Sequence, residues 1–389
     1  MSDTSTLNVI VVGAGLAGLA CAADLAAGGA GVTVLESSDA VGGRMRTDRR
    51  DGFLLDRGFQ VFNTSYPQVQ RRLDLRALQL SPFTPGMLLH TGAGLLRFAD
   101  PTRRPADQGD LVHGRLAGPG GLAALATLAA ARIPGDLTEL LFRPFLAGVF
   151  LEDQLETSGR FFHLVWRSML RGTLCLPRRG VQAVPEQLAA ALPPGTVQLE
   201  TPVRSLTGTG VLLADDRELP ADAVVVATGP AAAATLLPGL AVPDTRTVTT
   251  VYHAAPASPL AEPTLLVDTE REILNTCVLS EVSPGYAAGR ALISSSVLGG
   301  GGADREPSVR RRLAALYETD TAGWEHLGSY TIDEALPAMP APWPLSRPSQ
   351  VASPGGPRRY VCGDHRATGS VQGALASGAR AAREVLADG

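Results

Sequence analysis

Three glycines and one carboxylate near the start of the chain have the spacing that holds a dinucleotide. Gly13, Gly15 and Gly18 fall in the run "NVIVVGAGLAGLACAADL", and Glu36 stands eighteen residues beyond the last of them. In a GxGxxG motif the first glycine permits a tight turn and the second lets backbone approach a pyrophosphate. The third lets a helix pack closely on a strand. Ala14, Leu16 and Ala17, between and beside these glycines, sit where a helix start offers N–H groups and partial positive charge to phosphates. Glu36 is placed to accept hydrogen bonds from the adenosine ribose hydroxyls, with Ser37 beside it. Such residues need a particular scaffold, and the local sequence supplies it. "LNVIVV" reads as a buried parallel strand, an Ala/Leu helix follows, and "GVTVLE" reads as a second strand. A tight glycine turn in an unrelated α/β protein would lack this register. The motif alone does not separate NAD from FAD.

The rest of the chain carries few other chemical signals. No nucleophilic triad, metal-ligand cluster or paired carboxylate arrangement can be read from it. Cys21, Cys175, Cys277 and Cys362 form no CxxC pattern, and reduced thiols point to a cytoplasmic location. Every basic residue is Arg, since the 389-residue sequence contains no Lys. The net charge of −4 and the scattered arginines suggest no nucleic-acid surface. The uncharged stretch 223–243 is broken by Gly229-Pro230 and Pro238-Gly239, so it reads as a strand, a turn and a short helix rather than a membrane span. Peripheral membrane contact stays open.

Beyond Glu36 the run "SSDAVGGRMRT" resembles the extension found in flavoproteins of the flavin amine oxidase, phytoene desaturase and protoporphyrinogen oxidase superfamily. The resemblance implies that Gly42, Gly43 and Arg44 continue along an FAD. A second glycine pair again brings backbone close, and Arg can meet a phosphate bidentately. "DGFLLDRGFQVF" is similar to the segment that reaches the flavin ring in that family, which implicates Gly58, Phe59 and Gln60. At the other end, "RYVCGDHRATGSVQGALASGARAAREVL" is similar to the family's C-terminal FAD motif. Gly363 and Asp364 would then serve the ribityl or pyrophosphate region. Ser370, Val371, Gln372 and Ala374 would lie at a helix start whose N–H groups can hold the flavin pyrimidine oxygen and stabilise a reduced flavin. "LPRRGVQAVPEQLAAAL" and "TPVRSL" offer Val203 as an adenine contact. "ADAVVVATGP" brings Thr228 and Gly229 past the cofactor.

These segments imply an α/β fold with a discontinuous Rossmann-like FAD-binding domain, residues 1–64, 176–240 and 341–389. A second, α+β substrate domain takes residues 65–175 and 241–340. The stretches "SPFTPG", "FADPTRRPADQGD" and "LPAMPAPWPLSRPS" read as Pro-rich loops, the last marking the return to the FAD domain. One helix is expected over "GRFFHLVWRSMLRG". Its Phe161, Phe162, Val165, Trp166, Met169 and Leu170 share a face that is either plain core or the wall of an apolar substrate tunnel. "LLFRPFLAGVF" precedes it and carries no catalytic group.

The resemblance also limits the chemistry. Amine oxidase relatives present a Lys holding a water near flavin N5, and this chain has none. The strand "TVTTVYHAAP", in the matching region, places His253 with Val251 on one face and Tyr252 with Thr250 on the other. His253 and His365 are each either packed or turned to the flavin. At the place of the family's cage aromatic stands Ser370, and no Cys is positioned for a covalent flavin. The expectation is therefore a noncovalent FAD oxidoreductase of desaturase or oxidase type, with hydride transfer from an apolar small molecule and no assigned catalytic residue. The electron acceptor stays open among oxygen, a quinone and a partner protein. The alternatives are a flavin amine oxidase and a non-redox FAD isomerase or mutase. A nicotinamide-dependent dehydrogenase is disfavoured by the C-terminal motif.

Overall fold

A computed structural model of the chain describes residues 6–92, 94–99, 138–302, 305–352 and 356–389. From position 100 onward, the Pro-rich stretch "FADPTRRPADQGD" lies outside the described residues. Strand Asn8–Val12 sits inside a six-stranded sheet ordered Val197–Gln198, Gly31–Leu35, Asn8–Val12, Ala223–Val226, Arg358–Val361, Gln350–Val351. The first five strands pair in parallel and the last is an antiparallel edge. The continuous Val/Ile run of the first strand is explained by burial on both faces. Val9 and Val11 pack among helices Leu16–Ala27 and Val371–Asp388. Ile10 and Val12 pack instead against helix Pro230–Leu236 and a three-stranded antiparallel meander built from Val203–Leu206, Gly210–Leu213 and Glu218–Pro220. The strands of this one sheet come from three separate stretches of chain.

A second, seven-stranded sheet is ordered Glu325–Pro337, Thr245–Ala255, Ala291–Leu298, Asn275–Val278, Leu266–Asp268, Gly86–Thr91, Gly94–Ala99. Alternating residues send its two faces to different cores. Leu88, Val251, Leu266 and Ile293 meet helix Arg305–Leu316, while Met87, Leu89 and Val267 meet helices Arg143–Phe150 and Gly159–Arg171. "LPAMPAPWPLSRPS" runs from the end of the long strand Glu325–Pro337 back to the edge strand Gln350–Val351 of the first sheet.

A buried carboxylate ties the two halves together. Asp56 ends the hairpin Thr47–Arg50/Phe53–Asp56 and accepts hydrogen bonds from Thr47 Oγ1 at 2.6 Å, Tyr286 Oη at 2.7 Å and the Val181 N–H at 3.1 Å. Its backbone carbonyl accepts from Tyr252 Oη at 2.8 Å. Burial pushes its carboxyl up to about 6, against the pull of those three donors. Because the folded value lies above the ordinary 3.8, the folded state takes up this proton before the unfolded chain does. Stability from this group is fully present below the ordinary value and is lost as pH rises through 6, a change on the order of 3 kcal/mol. The expected result is a denaturation midpoint that rises as pH falls from neutral toward 5, and a flatter profile in Asp56→Asn. Parallel profiles for the two proteins would show that Asp56 does not titrate in this range.

Candidate active site

One cavity of about 1070 Å³ runs between the two sheets and carries most of the residues singled out by sequence. That exceeds the ~300–1,000 Å³ of a pocket for a single drug-sized ligand. The cavity wall includes Gly13, Gly15, Leu16 and Ala17 around the start of helix Leu16–Ala27, and Glu36, Ser37, Gly42, Gly43 and Val203. The wall also includes Arg44, Gly58, Phe59, Gln60, Thr228, Gly229, Gly363, Asp364, Ser370, Val371 and Ala374. An apolar part of the wall is formed by Phe145, Phe150, Phe161, Val165, Trp166 and Met169. Phe142, Phe145 and Phe162 crowd around Trp166 with ring centroids 5.8–6.0 Å away. The aromatic stripe of helix Gly159–Arg171 is thus both core and cavity wall.

Local geometry explains the glycines. Gly13 adopts φ +106°, a conformation open to Gly at little cost, and a Cβ there would stand 3.0 Å from the Ala227 carbonyl oxygen. At Gly18 a Cβ would lie 2.0 Å from the Gly13 carbonyl oxygen, so this glycine sets the approach of helix to turn. A Cβ at Gly15 would meet no heavy atom within 4 Å, and one at Gly43 would lie 3.5 Å from Gly15 Cα. The wall here is bare backbone facing open space. Glu36 is buried, its Oε2 accepting from the Ala14 N–H at 2.7 Å and its Oε1 from the Ser38 N–H at 3.0 Å and Ser38 Oγ at 2.7 Å. Ala14 thus serves through Glu36 and, like Gly18, does not line the cavity.

Arg44 and Asp364, from opposite ends of the chain, form an ion pair at 2.7 Å. Arg44 Nη1 also donates to the Ala335 carbonyl at 2.8 Å, and Gln60 Nε2 donates to the Arg44 carbonyl at 2.9 Å. Burial works against the guanidinium charge, but Asp364 and then Glu334 outweigh it and hold Arg44 above its ordinary value. Part of the donor capacity expected to face a phosphate is therefore committed to protein.

Ser370 caps helix Val371–Asp388, its Oγ accepting from the Gly373 N–H at 3.0 Å. A serine in the aromatic's place thus has a structural reason. The Gln372 side chain turns aside, its Oε1 accepting from the Gln68 N–H at 3.0 Å, and it does not line the cavity. Both histidines are packed. His253 is buried and bonds Glu306 at 2.8 Å on the sheet face opposite Tyr252, and burial lowers its pKa. His365 is also buried, and burial lowers it to about 4. Sequence reasoning missed Arg57, Tyr66, Arg204, Asn275 and Glu334 on the wall, since no local motif marks them. Among the described residues there is no cluster of three His, Cys, Asp or Glu side chains suited to a metal, and no helix long and apolar enough to cross a membrane.

A parallel sheet with a glycine-rich turn and a buried acidic residue at a strand end defines an α/β protein of Rossmann-like architecture. The profile of the flavin containing amine oxidoreductases matches residues 16–111 and 122–386, and the chain belongs to that family. It is a family of flavin-dependent oxidoreductases. Coproporphyrinogen III oxidase from Propionibacterium freudenreichii subsp. freudenreichii is 40% identical over 84 residues, which are 22% of this chain and 16% of the relative. The matched segment is thus a small part of the curated relative's length. Among solved structures, a provisionally assigned protoporphyrinogen oxidase from Exiguobacterium sp. 255-15 superposes with TM-score 0.73 at 18% identity, covering 99% of this chain and 100% of that one. Cyclohexylamine oxidase from Brevibacterium oxydans IH-35A gives 0.71 at 19% identity, covering 99% of each chain. At these identities the likeness establishes the fold.

Proposed function

We propose that the chain binds FAD noncovalently in this cavity and oxidises an apolar small molecule by hydride transfer. The carrying observation is continuity: the glycine cradle, Glu36 and the C-terminal helix start share one cavity with the aromatic wall around Trp166. The bare backbone at Gly15 and Gly43, the buried Glu36 carboxylate and the helix N–H groups fit a pyrophosphate and a ribose. When bound, the flavin supplies a hydride acceptor. The chain's own work is to hold and orient. Glu36 accepts ribose hydroxyls, the start of helix Val371–Asp388 faces developing negative charge, and Phe145, Phe161 and Trp166 exclude water from the reacting C–H bond.

Residues 1–64, 176–240 and 341–389 form the cofactor domain in this reading, and 65–175 with 241–340 the substrate domain. The four cysteines, all unpaired and buried, support a cytoplasmic location. Oxygen, a quinone or a partner protein would reoxidise the cofactor. The expected result is FAD in the supernatant after acid precipitation, and anaerobic bleaching of the visible flavin band by a polycyclic or polyisoprenoid compound. Rapid bleaching by benzylamine or a polyamine would instead favour an amine oxidase. A chain that binds such ligands without bleaching would favour isomerase or mutase chemistry.

A further inference from the structure

Buried arginines in this protein are ordinarily paired. Arg46, Arg72 and Arg312 each meet an aspartate, Asp39, Asp24 and Asp268, at 2.5–2.8 Å. Arg366 breaks the pattern. It is only 9% exposed, its Nη2 donates to the Pro348 carbonyl at 2.9 Å, and its Nε has no hydrogen-bond partner. No carboxylate among the described residues forms an ion pair with it. Two further arginines converge on the same turn. Arg347 lies over the Trp343 ring at 4.1 Å and donates to the His365 carbonyl at 3.0 Å, and Arg380 donates to the Arg366 carbonyl at 3.1 Å.

The nearest counter-charge is Glu384, and it is only partly available. One of its oxygens is 4.0 Å from Arg380 Nε, while the other accepts from the Ser349 and Gln350 N–H groups at 2.7 and 2.9 Å. Arg366 and Arg380 therefore share one carboxylate, and no ion pair to Arg347 is formed among the described residues. Arg380 Nε, Ser349 Oγ and His365 Nε2 are also buried without hydrogen-bond partners. Burial lowers the arginines, and Arg347 and Arg380 both oppose the charge on Arg366. None of the three lines the cavity, although Gly363 and Asp364 of the same turn do. Buried like charges without counter-ions are costly, and planar guanidinium forks match tetrahedral oxyanions.

We infer that Arg347, Arg366 and Arg380 form a binding site for a phosphate group, outside the cofactor cavity and against the back of the 363–366 turn. The same chemistry is offered by a free phosphate and by a lipid headgroup. The test uses the purified chain supplemented with FAD and follows thermal unfolding. One arm titrates sodium phosphate against sodium chloride at matched ionic strength. The other adds phosphatidylcholine vesicles with and without phosphatidate and measures co-sedimentation. A saturable phosphate-specific rise in Tm identifies a free anion, and phosphatidate-dependent sedimentation alone identifies a headgroup. In either case Arg366→Gln and Arg347→Gln should weaken the response by about tenfold or more. Half-exposed Arg347 decides the matter if Arg366→Gln does not fold. Equal responses to phosphate and chloride with no vesicle binding would overturn the site. So would a response that survives both arginine substitutions but disappears in Gly15→Val, because the phosphate would then sit in the cofactor cavity.

Discussion

Gly15→Val should yield a folded chain that purifies without FAD. The substitution is unusual in separating ligand from scaffold. Gly15 is the N-cap of helix Leu16–Ala27 with φ −73° and ψ 177°, an extended conformation that valine adopts readily. A Cβ there meets no protein atom within 4 Å, so the side chain projects into the cavity rather than into the core. The cost to the apoprotein is the exchange of a tolerated cap for a poor one, about 1 kcal/mol. The cost to the proposed cofactor is much larger. Valine methyls occupy the space a pyrophosphate must enter and screen the N–H groups it would meet, so affinity should fall about a hundredfold or more. Acid-released FAD per folded chain, measured beside the urea midpoint, reads both effects at once. Wild-type FAD content in this variant would remove the cradle from the cofactor site.

The parts of this site legible in sequence are those where backbone geometry dictates residue type. Gly13 and Gly18 are fixed by a positive φ and by a 2.0 Å approach, and such constraints leave their mark at fixed spacing. The buried strand Asn8–Val12 and the aromatic face of helix Gly159–Arg171 are legible for a similar reason, since burial repeats with the period of the element. The pairing of Arg44 with Asp364 is not legible in that way. It depends on how the first and last segments of the chain meet across the sheet, and neither residue's neighbours encode the other. Glu334 and Asn275 line the cavity from strands of the second sheet whose local patterns report only burial and exposure. Gln372 shows the opposite case. It has a plausible residue type at a helix start, but helix Pro67–Arg72 takes its carbonyl.

Gly378→Val should have the reverse signature of the Gly15 substitution, with stability lost rather than ligand space filled. Helices Leu16–Ala27 and Val371–Asp388 pack closely through small residues, Ala17, Cys21, Ala374 and Gly378 among them. A Cβ at Gly378 would stand 2.1 Å from the Ala17 carbonyl oxygen and 3.1 Å from the Cys21 backbone nitrogen. Both neighbours are helical backbone, so the contact can be relieved only by moving one helix against the other. Overpacking a core ordinarily costs ~1–3 kcal/mol, and a clash with unyielding backbone belongs at or above the top of that range. The displacement also reaches the site, because Ala17 lies at the cavity end of the first helix. The urea midpoint should therefore fall markedly, while the fraction that remains folded keeps open space at Gly15 and retains some FAD. Ala376→Val, at a half-buried position of the same helix, lacks the 2.1 Å contact and should cost only the lower helix propensity of valine, about 0.5 kcal/mol, a loss that Gly378→Val does not carry. Equal midpoints for Gly378→Val and Ala376→Val would mean that the two helices are not held as close as the geometry places them.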